Sequence, residues 1–140
     1  MKARFLASEV LFDKFFGFMA RVDRVEVADI YAHALAGDLT GMGNSWGLLY
    51  EHDDEGPVGI RFVMIGVAAV PALLGLLDDE RILVYAGSEE ATVGNDYGFR
   101  VKDAAAFYLG KIKRIPVAYH ARVEDRDVEI AALARTIRGL

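Results

Sequence analysis

The sequence contains no cysteine among its 140 residues. Disulfide bridges, thiolate nucleophiles and cysteine-ligated metals are therefore excluded. A chain without disulfides fits a reducing compartment, so we predict a cytoplasmic location. The three histidines do not have the paired spacing of zinc ligands, and we expect neither a metal site nor a cofactor.

Long uncharged apolar runs and an excess of basic residues are also missing. No run of about 18 uncharged apolar residues occurs, so we expect a soluble protein without a membrane-spanning helix. The formal net charge is −5, from 16 basic and 21 acidic residues. This balance argues against nucleic-acid binding, which depends on clustered Lys and Arg. The cluster of Lys111, Lys113 and Arg114 is interpreted as the cationic end of a helix.

Apolar residues make up 54% of the chain, slightly above the average for globular proteins. The length matches one domain, so we predict a single globular domain over residues 1–140. The surplus of apolar residues suggests that some surface is reserved for a partner.

The order of the predicted elements favours an α/β fold. Two helices come first, and a hairpin and alternating strands and helices follow. The predicted elements are helices 3–22 and 24–37, strands 46–50 and 58–67, helix 70–77, strand 81–86, loop 87–98, a helix capped by Asp103, strand 115–123 and helix 125–138. We expect a small mixed sheet of four to five strands with two N-terminal helices, or alternatively an α+β ferredoxin-like fold.

The first helix is unusually apolar, with five of the eight phenylalanines between residues 5 and 18. Its polar residues recur every fourth position, which predicts one narrow solvated stripe: Glu9, Asp13, Gly17 and Arg21. Such a helix lies in a core, in a subunit interface or on a membrane surface, and the half-acidic stripe argues against the membrane. We rank the core first, and we choose three interface candidates for the second case: Phe12, Phe15 and Phe16.

A glycine-bearing stretch, residues 37–47, is a candidate ligand-binding loop. Glycines allow backbone N–H groups to converge on an anion, and an indole can stack on a flat ligand. The candidate ligand-binding residues here are Gly41, Gly43, Asn44 and Trp46. An ordinary connecting loop is the alternative.

The C-terminal half contributes the candidate catalytic residues Asp96, Asp103 and His120, with Tyr119 as a further ligand-binding residue. A carboxylate or imidazole there could act as general base or nucleophile. The alternative for Asp103 is a helix cap. Farther back, the acidic turn Glu51–Glu55 could hold a cation, although a solvated hairpin tip has the same composition.

These observations predict a small intracellular binding or regulatory module that forms a homo-oligomer and has room for a small polar ligand or a protein partner. The alternative is a small enzyme acting on a nucleotide-like or other polar metabolite at a site made by loop 37–47 and the C-terminal carboxylates.

Overall fold

The computed structural model describes residues 1–37, 39–48 and 55–139. Within these ranges the chain forms helices and no β-sheet. The α-helices are α1 Lys2–Lys14, α2 Arg24–Ala36, α3 Ile60–Ile65, α4 Val70–Leu74, α5 Glu89–Tyr97, α6 Val101–Lys113 and α7 Val123–Arg138. Three short 3-10 turns connect them: Phe18–Ala20, Gly43–Trp46 and Gly66–Ala69.

The expected α/β fold is therefore wrong, and so is the ferredoxin-like alternative. Residues 58–67, predicted as a central strand, contain α3 and the start of the next turn. Phe62 and Ile65 are both fully buried there, three residues apart on one helical face. A short apolar run that is covered on both sides has the same composition in a strand and in a buried helix, so its sequence does not separate the two. Four residues of the predicted acidic turn Glu51–Glu55, residues 51–54, lie outside the described residues.

The predicted strand 46–50 begins in the 3-10 turn Gly43–Trp46 and makes one bridge, Gly47 with Glu55, while residues 49 and 50 lie outside the described residues. The predicted strands 81–86 and 115–123 are largely extended but do not form a sheet. Residues 81–86 make a single bridge, Ile82 with Arg100, supported by the hydrogen bond from Leu83 N to Phe99 O (2.8 Å). Residues 115–120 have no assigned helix or strand and run back along α6. The β-branched residues of these segments favour extended backbone, but an extended segment becomes a sheet strand only where it has a partner strand.

The predicted loop 87–98 is also corrected, because it contains α5. Ser88 is the N-cap and its Oγ accepts a hydrogen bond from Ala91 N (3.2 Å). Glu89 and Glu90 follow in the first turn, and Gly98 ends the helix with a φ of 63°. These are ordinary helix start and stop signals.

The helices with clear end signals are confirmed. Asp23 caps α2 by accepting from Val25 N (3.0 Å) and Glu26 N (3.2 Å). Asp103 lies at the third position of α6, not before it, and accepts from Arg100 N (2.9 Å) in a capping box. Gly139 ends α7 in the left-handed conformation.

The core forms around two long helices. The first, α2, packs against α1, α3 and α4, and the second, α6, packs against α3, α4 and α7. A chain of aromatic rings joins them, with Phe62 between Tyr31 (centroids 6.2 Å apart) and Tyr108 (5.5 Å) and with Trp46 beside it (6.1 Å). All four of these side chains are fully buried. This arrangement leaves α1 packed mainly against α2, with a further side-chain contact from Glu9 to Arg61 of α3.

Candidate functional site

The inner side of α1 contains a polar contact that the sequence pattern did not indicate. Phe5 packs against Tyr31 of α2, with ring centroids 5.2 Å apart. One turn later Glu9 accepts hydrogen bonds from the Tyr31 hydroxyl and from Arg61 Nε (3.1 Å). Burial, together with the bond to Glu9, raises the pKa of Tyr31. The predicted solvated stripe is therefore wrong at Glu9, which faces α2 and α3.

Elsewhere α1 and the two residues that follow it expose five apolar side chains. Leu6 is 51% exposed and Val10 60%, Leu11 and Phe15 are also exposed, and Phe16 is fully exposed. We call these five side chains the α1 apolar surface. Phe12 is different, because it is partly buried and packs edge-on against Phe18 (4.9 Å) and Tyr31 (5.6 Å). Two of the three predicted interface residues, Phe15 and Phe16, therefore lie on the exposed surface.

A groove of about 360 Å³ adjoins the α1 apolar surface along α2. Leu11 belongs to both, so the exposed apolar area continues from α1 into the groove. Its floor is mostly apolar, with Ala7 on α1 and Val27 and Ile30 on α2. At its rim Arg4 Nη1 forms an ion pair with Glu26 Oε1 (3.1 Å).

A second polar cluster lies around Asp103, which is completely buried. Its carboxylate accepts from Arg100 Nε (3.0 Å) and Nη2 (3.2 Å), and Arg126 Nη1 lies 3.6 Å from it. Arg100 also donates to Asp127 (2.8 Å). Burial alone would raise the pKa of Asp127, but hydrogen bonds from Arg100 and Lys102 hold it below its usual value.

Arg126 is the least expected member of this cluster, since its side chain is 1% exposed. It donates from Nη2 to Tyr97 O (2.7 Å), and its guanidinium lies 5.2 Å from the ring centroid of Phe99. Its Nε and Nη1 have no hydrogen-bond acceptor among the described residues. The sequence has no local signal for this role, because Tyr97 is 29 positions away. The pairing of Arg100 with Asp103, three residues apart at a helix start, could have been predicted.

The structure brings one predicted catalytic residue, Asp103, into contact with the predicted ligand-binding residue Tyr119. Tyr119 donates a long hydrogen bond to the carbonyl oxygen of Asp103 (3.4 Å), and burial raises the pKa of Tyr119 well above its usual value. His120 Nε2 lies 3.4 Å from Glu129 Oε1 of α7. Asp96 is exposed on α5. Because the oxygens of Asp103 are held by arginines, the contacts around it are those of a structural ion pair, and a catalytic role stays a prediction.

Loop 37–47, apart from residue 38, is held by hydrogen bonds from Gly43 and Asn44 to the segment 84–86. Gly43 N donates to Val84 O (2.8 Å), and an added Cβ at Gly43 would lie 2.8 Å from that same oxygen. The Asn44 side chain donates to Ala86 O (2.9 Å) and accepts from Ala86 N (2.9 Å). Gly41 has a φ of 73°, as a turn requires. The glycine at position 43 is therefore explained by a close backbone approach.

The end of this loop and the Asp103 cluster share a buried polar interior. Tyr108 donates to Trp46 O (2.7 Å) and accepts from Gly56 N (3.1 Å), and Tyr85 donates to Gly47 O (2.8 Å). Burial raises the pKa of Tyr85, and the charge of Asp103 adds to this effect. Two buried tyrosines thus hold the backbone at the end of this loop, and one of them, Tyr85, lies near enough to Asp103 to be affected by its charge.

The part of the chain that the structure describes shows no candidate metal site and no candidate membrane segment. No three His, Asp or Glu side chains there converge to hold an ion, and no helix there has the length and hydropathy to cross a bilayer. No protein-family model, curated protein or solved structure matches the chain significantly.

Proposed function

We propose that this protein is a self-associating binding module whose subunit contact is the α1 apolar surface. The supporting observation is the exposure of Leu6, Val10 and Leu11 on α1 and of Phe15 and Phe16 directly after its end. Scattered exposed apolar residues are normal on a monomer, whereas a contiguous patch is typical of an interface.

A second copy of the chain is the occupant that the charges favour. Lys2 and Asp13 are eleven residues apart, which is three helical turns plus about 20°, so they lie on one flank at opposite ends of α1. Two copies of α1 that pair antiparallel about a two-fold axis near Ala7 place Lys2 of one opposite Asp13 of the other, twice. Such exposed pairs add little affinity, but they fix orientation.

The groove beside α1 extends the same contact toward α2. A stable interface buries about 800 Å² on each partner, more than one short helix face offers. The apolar floor of the groove, reached through Leu11, provides additional area for the second copy. The ion pair of Arg4 with Glu26 then belongs to the polar rim.

Size-exclusion chromatography with light scattering tests the proposal. We expect the wild type to be a dimer and Val10→Glu to be a monomer, because a charge cannot be desolvated in an apolar contact. Phe16→Ser should weaken the dimer. The matched control is Val128→Glu on α7, since Val128 is 68% exposed and lies outside the α1 apolar surface. A monomeric wild type, or a dimer that survives both α1 substitutions, would refute the proposal.

Charge reversal tests the antiparallel arrangement separately. Lys2→Glu should weaken the dimer by setting like charges against each other, and the double variant Lys2→Glu with Asp13→Lys should restore it. The effect should decrease as salt is added, because both groups are exposed. If the double variant is no tighter than the single one, the helices pair in some other orientation.

The cytoplasmic location belongs to the same proposal, supported by the absence of cysteine. The enzyme alternative has weaker support. Asp103 is held by two arginines, and the loop residues Gly43 and Asn44 are bonded to residues 84–86. Neither set of groups is left available for a substrate in this conformation.

A further inference from the structure

A cavity of about 340 Å³ opens where the chain leaves α6 and turns back along it. One wall is made by Phe107, Lys111 and Arg114, and the other by the extended segment 115–119 with Tyr119 at its far end. The cavity shares no lining residue with the α1 apolar surface or with the groove beside it, so it can be tested separately from the self-association proposed above.

Gly110 makes this turn possible. An added Cβ at Gly110 would lie 2.9 Å from Ile115 O and 3.0 Å from Val117 Cγ2, so only glycine lets the segment pass this close. Beyond it, the rings of Phe107 and Tyr119 meet with centroids 6.0 Å apart and planes at 60°. The cavity therefore has an aromatic wall against which a further ring can pack edge to face.

Arg114 occupies a backbone conformation that usually selects glycine. It ends α6 with a φ of 56° and a ψ of 42°, whereas α5 and α7 end in the same region with Gly98 and Gly139. A positive φ is unfavourable for a residue with a Cβ. The arginine side chain lines the cavity and has no ion-pair partner among the described residues. We infer that the guanidinium of Arg114 has a role in this cavity that glycine could not fill.

The neighbouring cation, Lys111, is within ion-pair distance of a carboxylate of the chain itself. Lys111 Nζ lies 5.3 Å from the ring centroid of Phe107 and 3.8 Å from Glu55 Oε1. The carbonyl end of a helix disfavours anions, but two cations in the last turn and at the cap reverse the local sign. A guanidinium binds a carboxylate through two parallel hydrogen bonds.

From these features, we propose that the cavity binds a small aromatic carboxylate. The carboxylate pairs with Arg114 and Lys111, and the ring packs against Phe107 and Tyr119. Ligand pockets range from about 300 to 1,000 Å³, so a cavity of this size takes a ligand of one or two rings. Tyr119, predicted from the sequence as a ligand-binding residue, contributes its ring, because its hydroxyl is directed to Asp103.

Isothermal titration calorimetry with 2-naphthoate tests this site. We expect saturable binding of one ligand per chain, with 2-naphthamide at least about tenfold weaker because it lacks the charge. Inorganic phosphate, which lacks the ring, should not bind measurably. The variant Val10→Glu should bind 2-naphthoate as the wild type does.

Arg114→Gly separates binding from folding. It should lower the affinity for 2-naphthoate at least about tenfold. The melting temperature should stay equal or rise, since glycine suits the positive φ. Lys113→Gln is the matched control: this lysine lies in the same last turn of α6, is exposed and does not line the cavity, so its loss should leave affinity unchanged. Absence of 2-naphthoate binding, equal binding of the amide, or full affinity in Arg114→Gly would overturn the proposal.

Discussion

The guanidinium of Arg100 donates to both carboxylate oxygens of Asp103, at 3.0 and 3.2 Å, in a place where both side chains are almost completely buried. The same carboxylate also accepts from the backbone N of Arg100 and lies near Arg126. One side chain thus caps α6 and neutralises two buried cations, one of which belongs to α7. The junction of α6 and α7 depends on it.

Removing this carboxylate should therefore destabilise the fold strongly. Asp103→Ala leaves Arg100 and Arg126 buried with less counter-charge, and we expect a loss of about 3–5 kcal/mol in the free energy of unfolding. Urea titration followed by circular dichroism measures this. Asp96→Ala removes an exposed carboxylate of the same predicted catalytic set and should leave stability unchanged. Equal stability of the two variants would contradict the structural role of Asp103.

The pairing of Asp127 predicts a pH dependence with a defined sign. Its pKa is lower in the folded protein, because hydrogen bonds from Arg100 and Lys102 outweigh its burial. Its contribution to stability is then complete above its unfolded pKa of about 3.9 and is lost as the pH falls through the folded value. The stability gap between wild type and Asp127→Asn should be largest near neutral pH and should shrink below about pH 4.

Urea midpoints across this pH range measure the gap. A gap that stays constant on acidification would show that the loss in Asp127→Asn comes from something other than the carboxylate charge. Asp125→Asn on the first turn of α7 is the control, because Asp125 is exposed and lies 4.0 Å from Arg122. The stability difference between wild type and Asp125→Asn should be small at every pH.

Substitution of Glu9 should lower the stability of the fold and substitution of Asp13 should not, although the sequence pattern placed both on one solvated stripe. Glu9→Ala leaves the fully buried Tyr31 hydroxyl without its carboxylate acceptor, and we expect a loss of about 1–3 kcal/mol in unfolding free energy. Asp13→Ala, one turn later and exposed, should not change stability. Thermal or urea unfolding of the two variants compares them directly, and equal effects would place Glu9 in solvent.

The contrast between these two acids shows what sequence periodicity could and could not predict. A spacing of four residues places Glu9 and Asp13 along one flank of α1, but it does not say whether that flank meets water or a polar partner. Gly17 and Arg21, predicted on the same stripe, lie beyond the end of the helix. The partners of Glu9 are 22 and 52 positions away, and nothing in the local sequence identifies them. Phe15 and Phe16 were predicted as interface residues on composition alone, and the structure exposes them.

Helix ends were predicted better than the fold. Asp23 before α2 and Gly139 after α7 act through bonds to their own helix, so a few neighbouring residues determine them. A sheet depends on pairing between distant strands. The apolar runs 58–67 and 81–86 carried no information on their partners, and the first became a helix packed between α2 and α6.

Gly59 and Tyr108 are in the closest glycine contact of the described chain. An added Cβ at Gly59 would lie 1.9 Å from the Tyr108 hydroxyl oxygen and 2.4 Å from Cζ. Tyr108 cannot move aside easily, because it is fully buried and its hydroxyl bonds to Trp46 O and Gly56 N. This hydroxyl joins α6 to the residues on both sides of segment 49–54.

Gly59→Ala should therefore cost at least about 1–3 kcal/mol of unfolding free energy, since overpacking at a rigid site displaces a buried hydrogen-bonded ring. The matched control is Gly75→Ala, where φ is −64° and the nearest atom to the added Cβ, Ala72 O, is 3.3 Å away. That change should be close to neutral. Fluorescence of the single tryptophan, which is buried beside Phe62, reports both unfolding transitions. If Gly59→Ala matches Gly75→Ala, Tyr108 is free to rotate away and its hydroxyl does not hold Trp46 and Gly56 in place.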